Sequence, residues 1–287
     1  MRFWRNSFFL SVIPNLFRYP QKSNFAISGF PPSRAERRKW SIFFNLFSSF
    51  KEIKKGFNFF FGKKKRVFYL CYMQITLKNL IPIPLKENLR KRSSDVWLHE
   101  ISFQNGDYVK IKAPSGTGKT TLIHYLYKLR TDYEGSVCWD NKEVKQISGD
   151  ELAENRQQNI SVIFQDLRLF ENLTARENIE LNRVLQKPFY ESSVIDEMAE
   201  RLGIASILAQ RAGICSYGEQ QRIAIIRALV QPFSLLLMDE PFSHLDKKNS
   251  ENAAQLIEEE CAKRNAGFVL TDLDEDHLFH YTQLLNL

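Results

Sequence analysis

From about position 74 onward, short apolar runs alternate with longer stretches whose apolar residues recur at helical spacing. Tyr108–Lys112 alternates polar and apolar positions in the manner of a strand. It leads directly into Ala113-Pro114-Ser115-Gly116-Thr117-Gly118-Lys119-Thr120-Thr121, after which Leu122, Ile123, Tyr125, Leu126 and Leu129 predict a helix. Ser234–Met238 is an unbroken apolar run, the pattern of a strand buried on both faces, and it stops at Asp239-Glu240-Pro241. Ile160–Phe164 and Gly267–Leu270 read as further strands, and Gln74–Leu77 as a strand-like opening just after Met73. Helical spacing covers Ala175–Val184, Ser192–Leu202 and Glu219–Val230. Strands and helices in alternation predict an α/β fold around a mostly parallel sheet.

Charge divides the chain in two. Residues 1–72 carry 15 Lys/Arg against only Glu36 and Glu52, together with 15 of the 23 Phe; the remainder carries 25 Lys/Arg and 31 Asp/Glu. The pI near 9.1 therefore belongs to a basic leader on an acidic domain of net charge −6. That sign disfavours a phosphate backbone, so nucleic acid is not an expected partner. The leader admits three readings: a translated upstream region with Met73 as the natural start, a targeting peptide, or a surface-binding arm. In the last, Trp40, Phe43, Phe44, Phe47 and Phe50 fall near one helical face. No stretch reaches the roughly 18 uncharged apolar residues a membrane-spanning helix needs. Cys71, Cys138, Cys215 and Cys261 show no C-x-x-C spacing, which argues against a zinc site or disulfide scaffold and fits a reducing cytoplasm.

Strand, glycine loop and helix in that order are the context of a phosphate-binding loop. Gly116 and Gly118 let the backbone wrap a phosphate, and successive N–H groups with the helix N-terminus supply positive potential. Lys119 is placed to reach the β- and γ-phosphates and the Thr120 hydroxyl to ligate Mg²⁺. The usual first glycine is Ala113, small enough for close approach provided its φ is negative. The acidic pair after Met238 lies where α/β sheets bind ligands. There Asp239 would enter the Mg²⁺ shell, and Glu240 would orient and deprotonate the attacking water.

Between these motifs, Ser216-Tyr217-Gly218-Glu219-Gln220-Gln221-Arg222, running on to Leu229, resembles the signature of ATP-binding cassette (ABC) ATPases. Val162-Ile163-Phe164-Gln165 resembles their glutamine loop and Ser243-His244-Leu245-Asp246 their D-loop, all in the family's order over residues 73–287. Phe164–Phe170, followed by Glu177-Asn178-Ile179, is most similar to the lipoprotein-release and cell-division branches. The resemblance implies a P-loop NTPase fold with an N-terminal antiparallel β portion and an inserted helical subdomain at about 167–234. It implies ATP and Mg²⁺ as cofactors, with residues 113–121 binding nucleotide and Thr120, Gln165 and Asp239 around the metal. It implies a dimer with a second cassette, homo- or heteromeric, in which each phosphate loop faces the partner's signature, here Ser216 and Gly218, Asp246 contacts the partner, and Gln165 links the metal and water to the helical subdomain. A separate membrane permease then becomes the partner, and the chain a cytoplasmic protein peripheral to the inner face of the membrane. Leu169, Phe170 and Leu173, at the entrance of the helical subdomain, read equally as the lining of a groove for a permease helix or as ordinary core. The chain ends soon after the strand at 267–270, so no appended regulatory domain is expected.

Three positions depart from the family pattern. Asp272 stands where a catalytic His normally follows Thr271, and a carboxylate there would repel a γ-phosphate; His277 and His280 are read as part of a downstream surface helix. No adenine-stacking aromatic follows Leu77–Leu80. Tyr217 replaces the first glycine of the signature. These departures predict nucleotide binding and dimerisation with slow hydrolysis, catalysed by Glu240 and Gln165 with Asp272 in the switch position. The alternative function is an ATP-gated regulatory or structural cassette that acts on a membrane partner without moving solute.

Overall fold

The computed structural model describes residues 72–89, 93–186, 188–273 and 277–287. All three readings of the leader, the aromatic helical face included, lie outside the described residues. Nine strands are assigned among them: β1 (Gln74–Pro82), β2 (Glu100–Gln104), β3 (Tyr108–Lys112), β4 (Tyr133–Trp139), β5 (Lys142–Glu143), β6 (Ile160–Ile163), β7 (Leu235–Asp239), β8 (Gly267–Asp272) and β9 (Gln283–Asn286). The helices are α1 (Lys86–Leu89), α2 (Lys119–Leu126), α3 (Gly149–Gln158), α4 (Ala175–Leu185), α5 (Ser192–Arg201), α6 (Tyr217–Leu229) and α7 (Lys247–Arg264). No helix among the described residues is long and apolar enough to cross a membrane.

The strands form two sheets. One is parallel, ordered β6-β7-β8-β3-β9, and the other antiparallel, ordered β2-β1-β4-β5. The antiparallel sheet is only half N-terminal, since β4 and β5 follow α2. β1 bulges between Lys78 and Ile81, and Gly135 on β4 makes room for it: a Cβ there would lie 2.3 Å from the Asn79 carbonyl oxygen. Every residue of β7 is buried, as its apolar run requires. Its side chains alternate between two cores. Leu236 and Met238 join Phe268, Leu270 and the faces of α4 to α7, while Leu235 and Leu237 join Val109, Ile111, α2 and the inner face of the antiparallel sheet.

Helices α4 to α6 occupy the middle of the chain and open on strong start signals. Thr174 with Glu177, and Ser216 with Glu219, form reciprocal capping boxes in which each hydroxyl accepts from an N–H of the first turn and each carboxylate accepts from the cap's own N–H. The turn leading into α4 is tied by fully buried Asn178. Its Oδ1 accepts from Phe170 N at 2.8 Å, and its Nδ2 donates to the Phe170 and Thr174 carbonyls at 3.0 Å each. Asn178→Ala leaves these main-chain groups unpaired and is expected to lower the unfolding free energy by about 2–3 kcal/mol in denaturant titration.

The sequence-based reading needs correction at several points. α2 stops at Leu126, and the chain turns through left-handed Lys128, so Leu129 is not part of that helix. The described residues around His277 and His280 are bends and extended chain rather than a helix. β9 follows β8 and pairs in parallel with β3, so the strand at 267–270 is not the last.

Candidate functional site

β3, β6, β7 and β8 run parallel, so their C-terminal ends open at one edge, and the loops that follow them converge there. After β3, Pro114, Ser115 and Gly116 form an exposed loop tip and Thr117 folds back, its hydroxyl donating to the Pro114 carbonyl at 2.7 Å. Ala113 is buried and lies outside the left-handed region, so it meets the condition for replacing glycine. Gly118 caps α2 with φ of 109°, and a Cβ there would come 2.7 Å from Leu85 Cδ1 and 3.3 Å from Trp97 Cζ2. Glycine is thus required both for backbone conformation and for space. Thr120 and Thr121 occupy the first turn of α2.

Lys119 reaches back along the loop. Its Nζ donates to the Ala113 carbonyl at 2.8 Å and the Pro114 carbonyl at 3.3 Å, and lies 3.2 Å from Glu240 Oε1. Gln165, just beyond β6, bridges two other loops. Its Oε1 accepts from the Thr120 hydroxyl at 3.3 Å, and its Nε2 donates to Glu240 Oε2 at 3.2 Å. Asp239 ends β7 with its Oδ1 accepting from Thr271 Oγ1 at 2.7 Å. Burial pushes the Asp239 carboxyl above its ordinary range, while hydrogen bonds from Thr120 and Thr271 and the nearby His124 pull it back. Glu240 adopts a left-handed backbone, φ 47°, fixed by its N–H to the Thr271 carbonyl at 2.9 Å and by Gln221 Nε2 donating to its carbonyl at 3.2 Å. Lys119, Thr120, Gln165, Asp239 and Glu240 therefore form one connected constellation. Thr120, Gln165 and Asp239 present hydroxyl, amide and carboxylate oxygens, a donor set that fits a hard cation such as Mg²⁺. Among the described residues there is no cluster of three or more His, Cys, Asp or Glu side chains to hold a metal without other ligands.

Asp272 sits beside this constellation in a different role. Its carbonyl accepts from Ala113 N at 3.0 Å, and its Oδ1 from Leu273 N at 2.7 Å. Its Oδ2 lies 3.8 Å from Nζ of Lys110, a β3 lysine whose side chain is only 2% exposed. The repulsion expected from this carboxylate is countered by a buried cation on the neighbouring strand. Ser216, Gly218 and Asp246 stand apart from the phosphate-loop constellation in their hydrogen bonding. The Ser216 hydroxyl donates to Glu219 Oε2 at 2.8 Å, Asp246 caps α7 through Asn249 N at 2.8 Å, and Gly218 packs closely on the His244 carbonyl.

Sequence reasoning missed Gln221, which joins two loops by donating to Glu240 O and accepting from His244 N at 3.1 Å. It also missed Lys110, which reads as an ordinary polar strand position. Trp97, 2% exposed, packs under Gly118, and its Nε1–H has no hydrogen-bond partner among the described residues. Behind Gln165, a groove of about 470 Å³ is lined by Phe164, Arg168, Phe170, Leu181, Leu185 and Arg227 among others. Phe170 is 60% exposed, whereas Leu169 packs on the core. The three apolar positions grouped by the sequence thus do not share one environment.

A model of the ABC transporter family matches residues 98–243. The chain belongs to the ABC transporter family. Among ABC relatives, the lipoprotein-releasing system ATP-binding protein LolD of Pseudoalteromonas translucida is 34% identical over 177 residues, 61% of this chain and 76% of LolD. The macrolide export ATP-binding/permease protein MacB of Bdellovibrio bacteriovorus is 33% identical over 157 residues, 55% of this chain; the match spans 24% of MacB's own length. These relatives place the family member near the branch suggested by its glutamine-loop sequence. Of solved ABC structures, the dimeric structure of MJ0796, a bacterial ABC transporter cassette, superposes with a TM-score of 0.59 at 27% identity, covering 70% of this chain and 88% of MJ0796.

Proposed function

We propose that this chain is an ATP-binding and ATP-hydrolysing subunit of an ABC transporter, which dimerises around Mg-ATP to drive a membrane permease. The observation that carries the reading is the linked set Lys119, Thr120, Gln165, Asp239 and Glu240 at the C-terminal edge of the parallel sheet. The cassette is residues 73–287 with its helical subdomain at about 167–234, and residues 1–72 are a leader outside it. The relatives support the reading: MJ0796 is a dimeric cassette, and it is also matched in a post-hydrolysis state bound to ADP and Pi.

In this mechanism the phosphates sit in the loop of residues 113–121, held by the main-chain N–H groups that follow Pro114 and by the start of α2, and Lys119 exchanges its loop carbonyls and Glu240 for phosphate oxygens. Mg²⁺, held by Thr120, Gln165 and Asp239, would neutralise charge on those oxygens. Glu240 takes the proton of the attacking water and Gln165 holds that water in place. Ser216 and Gly218 receive the γ-phosphate bound by the partner cassette, and Asp246 touches the partner across the interface. Loss of the shared phosphate contacts opens the dimer. The apolar groove behind Gln165 receives a segment of the permease at the inner face of the membrane. Pull-down of the tagged full chain from membranes tests this reading: a permease should co-purify in a nucleotide-sensitive manner, and its consistent absence counts against transport.

The histidine missing at position 272 favours a second reading, an ATP-gated switch that moves no solute, because without that histidine the cycle is expected to be slow, which suits a timer better than a pump. Flux of solute through the reconstituted complex separates the two. If the missing histidine is what slows hydrolysis, Asp272→His should raise turnover at saturating ATP about ten-fold. An unchanged rate would remove that explanation.

A further inference from the structure

Gln165 lies on an irregular loop, and its exposed side chain spans Thr120 and Glu240 with two hydrogen bonds at 3.2–3.3 Å. A glutamine in such a setting keeps its rotamer only if its own backbone is fixed. Helix α6 supplies that fixation at both ends. At its last turn, the Arg227 guanidinium donates to the Leu167 carbonyl at 2.5 Å and the Arg168 carbonyl at 2.7 Å. Both of those residues have left-handed backbones, φ 54° and 48°, a conformation that is costly for residues other than glycine and needs such support. Burial draws the Arg227 pKa down to about 10, which still leaves it charged at neutral pH. At the first residue of α6, the Tyr217 hydroxyl donates to the Gln165 carbonyl at 3.2 Å, and its ring meets the His244 ring edge-on with centroids 4.2 Å apart. Tyr217 is 45% exposed, so its placement follows from these two contacts more than from core packing.

We infer that Tyr217 is a positioning residue for Gln165: through the main-chain carbonyl it holds the glutamine of its own chain in line with Thr120 and Glu240. This rests on the reading of Gln165 as the residue that orients metal and water. The residue that breaks the glycine pair of the signature thereby ties the start of α6 to the hydrolytic side of the same cassette. Arg227 braces the loop beyond it, so rotation of α6 moves Gln165 with it.

The test is a double-mutant cycle on the full chain, following phosphate release at saturating Mg-ATP. Tyr217→Phe keeps the ring and removes one hydrogen bond. It is expected to lower kcat about five-fold, the worth of about one such bond, with KM for ATP and the thermal midpoint unchanged. In a Gln165→Ala background the same substitution should have no further effect, because the residue it positions is gone. A purely structural role predicts an equal loss in both backgrounds, and that result, or no loss in the parent chain, overturns the proposal. Should Gln165→Ala itself turn over at the parent rate, the reading of Gln165 fails and takes the proposal with it. Loss in Gln165→Ala without loss in Tyr217→Phe rejects the positioning role alone.

Discussion

Glu240→Gln is expected to reduce ATP turnover by about 10²- to 10⁴-fold while leaving Mg-ATP binding and the nucleotide-dependent dimer intact. The substitution preserves side-chain size and asks nothing new of a backbone held at φ 47° by Thr271 and Gln221. What it removes is the carboxylate positioned between Lys119 and Gln165, and a neutral amide cannot take a proton from water. It also removes the anion opposite Lys119, so that lysine becomes freer to serve phosphate and nucleotide affinity should hold or rise. Phosphate release gives the rate, and light scattering with and without Mg-ATP gives the oligomeric state. The dimer should persist in the variant long after the parent has hydrolysed and opened. A parent chain that turns over rapidly and is unaffected by this change would contradict both the role of Glu240 and the slow cycle drawn from Asp272.

The parts of this site most legible in the sequence are those encoded in short local patterns. Strand β3, the loop and α2 follow from contiguous residues, because Gly118 is required by a left-handed cap with no space for a Cβ. β7 follows from five consecutive buried positions, and the start of α6 from a capping box that Ser216 and Glu219 complete three residues apart. Contacts made by folding distant segments together are not written locally. Lys110 alternates like any half-exposed strand residue, yet β8 and β9 flank it and Asp272 is brought near from 162 positions away. Tyr217 reads as crowding in a signature motif until its hydroxyl is seen on Gln165, 52 residues earlier. α7 escaped the pattern because its buried positions are mostly small, Ala253, Ala254 and Cys261, with only Leu256 and Ile257 to mark the face. β9 is four residues long, and its place at the sheet edge is set by pairing with β3 rather than by its own composition.

Lys119→Ala should weaken the nucleotide binding, and abolish the dimer, that Glu240→Gln preserves. Lys119 is buried to 6% exposure, and its ammonium is directed at two loop carbonyls and Glu240, the point where the phosphate loop and the end of β7 approach each other. Charge-assisted hydrogen bonds to phosphate are worth about 1.5–3 kcal/mol, so alanine should weaken Mg-ATP binding about 10- to 100-fold by calorimetry. The loss has a second part. Without Lys119, the Glu240 carboxylate remains at the mouth of the loop with its cation gone, and it would then repel the γ-phosphate that Lys119 had balanced. Adding Glu240→Gln to Lys119→Ala should therefore recover part of the binding loss, whereas Glu240→Gln alone loses none. Dimerisation provides the stricter criterion. If nucleotide joins two cassettes, Lys119→Ala must stay monomeric at Mg-ATP concentrations that dimerise Glu240→Gln. A Lys119→Ala chain with undiminished affinity, in a protein that never dimerises with Mg-ATP, would mean that nucleotide is not what holds two copies together.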